Sequence, residues 1–374
     1  MGWLVLLLAC VWGGYAVWGR RWRIEPRLSA PLDGVAPGRV VAVVPARNEA
    51  AELPRTVPHL LQQGDGALHV IVVDDHSDDG TADVARGLAA AMAAPARLRV
   101  VTPPPLPAGW TGKVWAQQHG FEAARALRPE WIWLTDADIR HEPEVLDRLL
   151  ATATREQRDF VSVMARLRCE TTWERLLIPA FTYFFAGIYP FAGVVDDRSG
   201  TAAAAGGCML IRAEVLERIG GLAAIRDAVI DDVSLARACK AAGARLWLGY
   251  DAGVSSTRGY DTLGGVWNMV ARTAYTQLGR NVAALVGCII GLAVVFFVPV
   301  AALLWGHGSL RLCGLIAYAA MVRTYVPMVE YLGVPRPWAL LLPVSAGLYA
   351  GMTVSSAWRH HRGAGAGWKG RAYG

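Results

Sequence analysis

An α/β domain of Rossmann-like character, with a mostly parallel sheet and transmembrane helices at its N- and C-terminal sides, is the fold class predicted for this 374-residue chain. Three observations predict it. Short apolar runs alternate with helical patterns between about residues 38 and 275. Such alternation implies right-handed crossovers and a largely parallel sheet covered on both faces. Acidic clusters follow two of the runs, and segments without charge flank the domain on either side. The chain is 54% hydrophobic and only 18% charged, and the apolar excess is concentrated in those flanks.

The first flank, residues 3–18 (WLVLLLACVWGGYAVW), approaches the roughly 20 residues that span a bilayer as a helix. No basic residue precedes it and no small-x-small cleavage site follows, so residues 1–22 read as an uncleaved anchor rather than a signal peptide. Arg20, Arg21, Arg23 and Arg27 come directly after it. Such a basic cluster stays on the cytoplasmic side, which leaves the following domain facing the cytoplasm from the inner membrane.

Within the domain, VVAVV (40–44) reads as a strand, followed by a helix near 49–62. HVIVVD (69–74) is a second strand, and the N-cap-rich Ser77-Asp78-Asp79-Gly80-Thr81 starts another helix. LRVV (98–101) is a third strand, 113–126 a helix, and WIWLT (131–135) a fourth strand. Ligands of such sheets bind beyond the carboxyl ends of the strands. Asp74-Asp75 and Asp136-Ala137-Asp138 stand at two such ends. In an extended segment positions 136 and 138 point the same way. Two carboxylates so close both remain ionised only beside a cation or hydrogen-bond donors, so a positive group is expected there. The first strand runs into PARNEA with no GxGxxG, and Gly109-Trp-Thr-Gly112-Lys113 lacks P-loop spacing, so neither nucleotide-binding loop of those types is present.

Asp231-Asp232 opens a further helical pattern, where acidic residues favour the helix dipole. Residues 173–195 (WERLLIPAFTYFFAGIYPFAGVV) are aromatic, short of charge and interrupted by proline, which suits a membrane-interface helix, with a buried core helix as the alternative. Beyond the domain, 281–305 and 338–357 carry no charge, and 310–332 carries only Arg311, Arg323 and Glu330, so residues 281–357 form the C-terminal membrane region. Four spans starting outside would return the tail, 358–374, to the outside, whereas its RHHRGAGAGWKGR favours the cytoplasm. One C-terminal segment is therefore re-entrant, interfacial or not a span, and the Arg323 segment is the first suspect.

The net charge of +6 comes from arginines beside membrane segments and in this tail, where anionic headgroups suffice and no nucleic acid is required. Six cysteines form no CxxC pair, which argues against zinc and a disulfide framework and fits a reducing cytosol. His59, His119, His360 and His361 lack a ligand partner at helical spacing, and no metal is assigned to them.

Six pieces, VPARNEA (44–50), VVDDHSDDGT (72–81), PAGWTGK (107–113), LTDADI (134–139), AGGCMLIR (205–212) and IDDVSLARACKAAG (230–243), follow one another as in family 2 glycosyltransferases of the GT-A fold. Each is weak alone; together they resemble that family over about 200 residues. The anchor, the C-terminal segments and the terminal GWKGRAY (367–373) are similar to the hopanoid-biosynthesis-associated glycosyltransferases. The resemblance implies a nucleotide-sugar donor, a lipid acceptor and Mg2+ or Mn2+ on the donor diphosphate. It makes Asp138 the direct metal ligand and Asp136 a second ligand or a contact to the nucleotide or sugar. A hard divalent cation with oxygen ligands fits that chemistry.

By the same resemblance, Asp74 and Asp75 hold base and ribose, with His76 where glycine is common. Pro45, Arg47 and Glu49 line the first nucleotide-facing loop. Lys113 donates to the diphosphate, or is a merely exposed helix-start lysine, and Asp78 or Asp79 caps a helix. Asp232 is the catalytic base, with Asp231 as the fallback. Arg272 in MVART (269–273) is the remnant of a QxxRW motif and binds diphosphate, or is a juxtamembrane arginine; the missing glutamine and tryptophan argue against a processive polymerase. The same site acting on a polyprenyl phosphate or carotenoid, and an inactive lipid-binding or transport protein, are the alternatives.

Overall fold

The computed structural model describes residues 2–32, 38–64, 67–363, 367–368 and 371–372. Lys369, Gly370 and Tyr373 of the terminal motif lie outside the described residues. Helix α1 (Gly2–Trp18) is followed by strand β1 (Val40–Ala46), α2 (Leu53–Leu61), β2 (His69–Asp74), α3 (Thr81–Ala91), β3 (Leu98–Val101), α4 (Gly112–Arg125) and β4 (Trp131–Thr135). The chain continues through β5 (Ile139–His141), α5 (Val145–Arg155), β6 (Phe160–Arg166), α6 (Thr172–Ile188), α7 (Phe191–Val195), β7 (Cys208–Arg212) and α8 (Ala213–Arg218). Then come α9 (Asp231–Ala241), β8 (Leu246–Ser256), α10 (Leu263–Ala271), α11 (Ala274–Gln277), α12 (Val282–Leu292), α13 (Val298–Trp305), α14 (Ser309–Tyr331) and α15 (Leu342–His361). A π-helical turn joins α12 to α13, and a 3-10 segment, Arg336–Leu341, precedes α15.

The four strands expected from the apolar runs are β1 to β4. They form the parallel half of an eight-stranded sheet of order β3-β2-β1-β4-β7-β6-β8-β5. β7 is antiparallel to both β4 and β6, so Cys208 pairs with Thr135 and the chain enters β7 at the carboxyl end of β4. That reversal brings Gly206 and Gly207 to the same edge as the acidic clusters.

Period-two alternation divides the parallel strands between two cores. Val41, Val43, Ile71, Val73, Ile132 and Leu134 face one cluster with α4 and α9, while Val40, Ala42, Val44, Val70, Val72, Trp131 and Trp133 face the other with α2, α3 and α5. The first cluster runs on without a break into α6, α10, α14 and α15, so the α/β domain and the C-terminal helices share one core. Gly120 permits the close approach of α4: a Cβ there would sit 2.3 Å from Val43 Cγ1 and 2.9 Å from Val73 Cγ2. Gly120→Ala is expected to destabilise the protein by about 1–3 kcal/mol through overpacking, read as a lowered midpoint in denaturant unfolding.

Among the described residues three helices are long and apolar enough to cross a membrane, Val282–Trp305, Ser309–Tyr331 and Arg336–His361; Gly2–Trp18 is a shorter apolar helix. α1 packs on α13 and α14, and the Trp12 indole donates to the Val295 carbonyl in the π turn (3.1 Å). The chain then leaves α1 through Pro26, whose carbonyl accepts from Tyr250 N of β8 (2.9 Å). Arg323 is exposed in the second half of α14. The stretch 173–195 forms α6 and α7; one face of α6 is buried against α14 and α15, while Trp173 and Ile188 at its ends remain exposed.

Candidate active site

A cavity of about 470 Å³ opens at the carboxyl ends of β1 and β4. Pro45, Glu49, Lys113, Asp136, Asp138, Asp231 and Arg272 all line it, seven residues singled out from the sequence. Asp136 and Asp138 lie not in an extended strand but in a tight turn after β4, closed by Ile139 N donating to Asp136 O (3.1 Å). The two-residue alternation argument therefore does not hold. The turn brings both carboxylates to the cavity but gives each its own cation.

Lys113, at the start of α4, bridges Asp136 (2.9 Å) and Asp231 (3.1 Å). It is largely buried, which corrects the alternative of a merely exposed helix-start lysine. Burial works against its charge, yet Asp136 and Asp231 hold its pKa above the ordinary lysine value. Burial, opposed by Lys113 and aided by Asp138 and Asp231, pushes Asp136 up to about 6.

Asp138 accepts from Arg258 Nε (2.7 Å) and, more weakly, from Ser256 Oγ (3.4 Å). The other arm of Arg258 grips Glu49 at 2.7 and 3.0 Å. The positive group expected beside the acidic pair is thus Lys113 on one side and Arg258 on the other. Sequence reasoning missed Arg258. It stands two residues past the end of β8, and β8 itself was not read, so nothing marked the arginine as site-facing. The forked guanidinium ties the loop after β1 to the turn after β4. Arg258→Ala leaves two carboxylates, 7% and 15% exposed, without their common partner. The expected loss is about 2 kcal/mol, as for charged hydrogen bonds elsewhere, seen as a lower thermal unfolding midpoint, with Arg258→Lys recovering only part of it because it lacks the fork.

Asp231 and Asp232 are the first two residues of α9. Asp231 faces the cavity and Lys113; Asp232 does not line the cavity and sits behind it. Its Oδ2 accepts from Gly206 N (2.9 Å) and its Oδ1 from Val233 N (2.8 Å). Burial, then the Asp231 charge, pushes Asp232 up to about 7. A Cβ on Gly206 would lie 3.2 Å from Lys113 Nζ and 3.5 Å from Asp232 Oδ2, so the glycine of the AGGCMLIR stretch lets both groups meet.

Arg47, Asp74 and Asp75 lie beside the cavity rather than on its wall. Asp75 is fully buried, and its carbonyl and that of His76 accept from the Arg47 guanidinium, which clamps the loop after β2 to the loop after β1. His76 has φ +55°, the left-handed region where glycine is favoured, in accord with its departure from the family pattern. Asp79 accepts from Thr81 N (3.0 Å) at the start of α3 and from Ala50 N (3.0 Å), so it serves the helix start and the neighbouring loop. Arg272 closes α10 and reaches the wall with Asn268 and Met269, neither of them read from the sequence.

A protein-family model described as glycosyltransferase-like family 2 matches residues 37–276. The chain belongs to this family. A mannosyltransferase, PcManGT, from Pyrobaculum calidifontis, solved in complex with GDP-Man and Mn2+, superposes with a TM-score of 0.56 at 18% identity, covering 92% of this chain and 98% of that one. That likeness shows the GT-A fold across catalytic domain and flanks. Mannosyl-3-phosphoglycerate synthase from Rubrobacter xylanophilus matches at 20% identity over 65% of this chain and 76% of that one, with a TM-score of 0.37, too low to add to it.

Among the described residues no three His, Cys, Asp or Glu side chains cluster as a self-sufficient metal site. Asp136 and Asp138 offer hard carboxylate oxygens on an open cavity, which fits Mg2+ or Mn2+ provided that a ligand's oxygens complete the shell.

Proposed function

We propose that this family 2 glycosyltransferase is a membrane-bound, metal-dependent, inverting enzyme that moves a sugar from a nucleotide donor to a lipid, of hopanoid or related isoprenoid type. The observation that carries the reading is one cavity where Asp136, Asp138, Lys113 and Asp231 converge, with Asp232 immediately behind, and whose far wall, α10, packs on the apolar helix α15. Asp138 and Asp136 are the carboxylates that hold Mg2+ or Mn2+ with the donor diphosphate. When bound, that cation neutralises charge building on the departing diphosphate. Lys113 and Arg272 supply further positive charge to the same phosphates. Pro45, Arg47, Glu49, Asp74 and Asp75 shape the nucleotide end.

Asp232 takes the proton from the acceptor hydroxyl as that oxygen attacks the anomeric carbon, and a single displacement of this kind inverts configuration. Its freedom from the Lys113 ion pair and its pKa near neutrality favour it over Asp231, which Lys113 already neutralises. The solved mannosyltransferase makes GDP-mannose with Mn2+ the first donor and metal to try. The catalytic domain faces the cytoplasm from the inner membrane, as the arginines after α1 favour.

The test is transfer of labelled sugar from a panel of nucleotide sugars into the organic phase of a membrane lipid extract by detergent-purified protein. Label in that phase, removed by chelator, supports the reading. Transfer to water-soluble acceptors alone would contradict the lipid assignment.

A further inference from the structure

We propose that residues 332–361 enter the bilayer from the catalytic-domain side and return to that side, so that the 26-residue apolar stretch Arg336–His361 is a re-entrant element whose basic end, Arg359 and Arg362, lies with the catalytic domain. The inference rests on contacts at successive positions of this stretch and is independent of the catalytic reading. α14 ends on the catalytic side: the Tyr331 hydroxyl donates to the Asp251 carbonyl of β8 (3.0 Å), and Arg166 of β6 lies over its ring. The chain then turns back. Arg336 pairs with Glu330 near that end of α14, and four residues later the Leu340 carbonyl accepts from Tyr318 (2.8 Å). Tyr318 is 13 residues before Tyr331, roughly 20 Å down the helix at about 1.5 Å per residue. Residues 336–341 thus descend alongside α14.

α15 then climbs. The Ser345 hydroxyl donates to Leu176 O (2.7 Å) and Tyr349 to Leu177 O (3.0 Å), both in α6, whose first turn is tied through Glu174 to Tyr260 N beside the cavity. Farther on, Ser356 Oγ accepts from Tyr275 N (3.0 Å), and Arg359 donates to Asn268 Oδ1 (2.8 Å) on the cavity wall. α15 is 20 residues long, long enough to have crossed, yet both its halves are pinned to α6, α10 and α11 of the catalytic side. α11 leads directly into α12, which starts from that side. Leu340, Leu341, Val344, Val354 and Trp358 remain exposed, as side chains that face acyl chains would. Three crossings follow, α1, α12–α13 and α14, and Arg359 and Arg362 come to rest on the side that the arginines after α1 mark as positive. The charge conflict of four spans disappears, and the segment responsible is α15 rather than the Arg323 helix.

The test uses sealed vesicles with the catalytic domain outward and a membrane-impermeant maleimide, on the full chain with its six native cysteines replaced. Single cysteines are placed at Arg198→Cys, which is fully outside the core, at His307→Cys in the loop between α13 and α14, and appended after Gly374. The appended cysteine is expected to label like Arg198→Cys without detergent, while His307→Cys labels only after detergent. Labelling of the appended cysteine together with His307→Cys would overturn the proposal. Should the cysteine-free chain fail to fold, protease protection of an epitope appended after Gly374 of the unaltered chain reads the same two outcomes: cleavage without detergent supports a re-entrant element, and protection refutes it.

Discussion

Asp232→Asn is expected to lower kcat for sugar transfer by about 100- to 10,000-fold, the usual contribution of a positioned general base, with nucleotide-sugar binding little changed. The amide keeps the size of the carboxylate and still accepts from Gly206 N, so the fold is retained. Asp231→Asn should behave differently. It removes one of the two partners of Lys113, and its loss is expected mainly in donor KM. The converse pattern, with kcat collapsing in Asp231→Asn alone, would move the base to Asp231. The pH profile provides a second readout. A base works only when ionised, and the Asp232 carboxyl is pushed up to about 7 by burial and by Asp231. Wild-type kcat/KM is therefore expected to rise with pH through about 7 and level off above it, whereas the residual activity of Asp232→Asn should lack that acid limb.

Asp138→Asn is expected to remove metal-stimulated turnover, by at least about 100-fold, the size of a lost electrostatic stabiliser of the transition state. Mn2+ binding measured by electron paramagnetic resonance in the presence of a nucleoside diphosphate should fall in parallel. Arg258 retains Glu49 in this variant, so the loop after β1 stays in place and the effect is confined to the metal. Undiminished Mn2+ binding in Asp138→Asn would place the ligand elsewhere in the cavity.

The parallel half of the sheet was legible because β1, β2 and β4 are compact apolar runs and β2 and β4 lead into acidic residues. β6, β7 and β8 were not read. β8 carries Gly249, Asp251 and Gly253 inside its 11 residues, which breaks its apolar run, and the antiparallel place of the five-residue β7 between β4 and β6 is encoded by no local pattern. The acidic chemistry was visible in the order of motifs, since Asp136, Asp138, Asp231 and Lys113 do meet in one cavity. Their pairing was hidden. Lys113 reaches Asp231 over 118 positions of chain and Arg258 reaches Asp138 over 120, and no local spacing encodes contacts that the sheet order alone creates. The conflict between span count and tail charge was legible as a conflict. The source proposed above was not, because a re-entrant helix and a spanning one have the same composition, and only partners such as Leu176, Tyr275 and Asn268 argue for the first.

The central claim is that the acidic cavity performs metal-dependent transfer from a nucleotide sugar. Its most direct measurement is turnover of a nucleotide-sugar panel, GDP-mannose first, by the purified protein with membrane lipid extract, with and without Mg2+ or Mn2+, beside Asp138→Asn and Asp232→Asn. Turnover that requires the metal and is lost in both variants is the predicted result. Bound nucleotide with no turnover in the wild type, under any donor and metal, would contradict the claim and leave a nucleotide-binding membrane protein without catalysis.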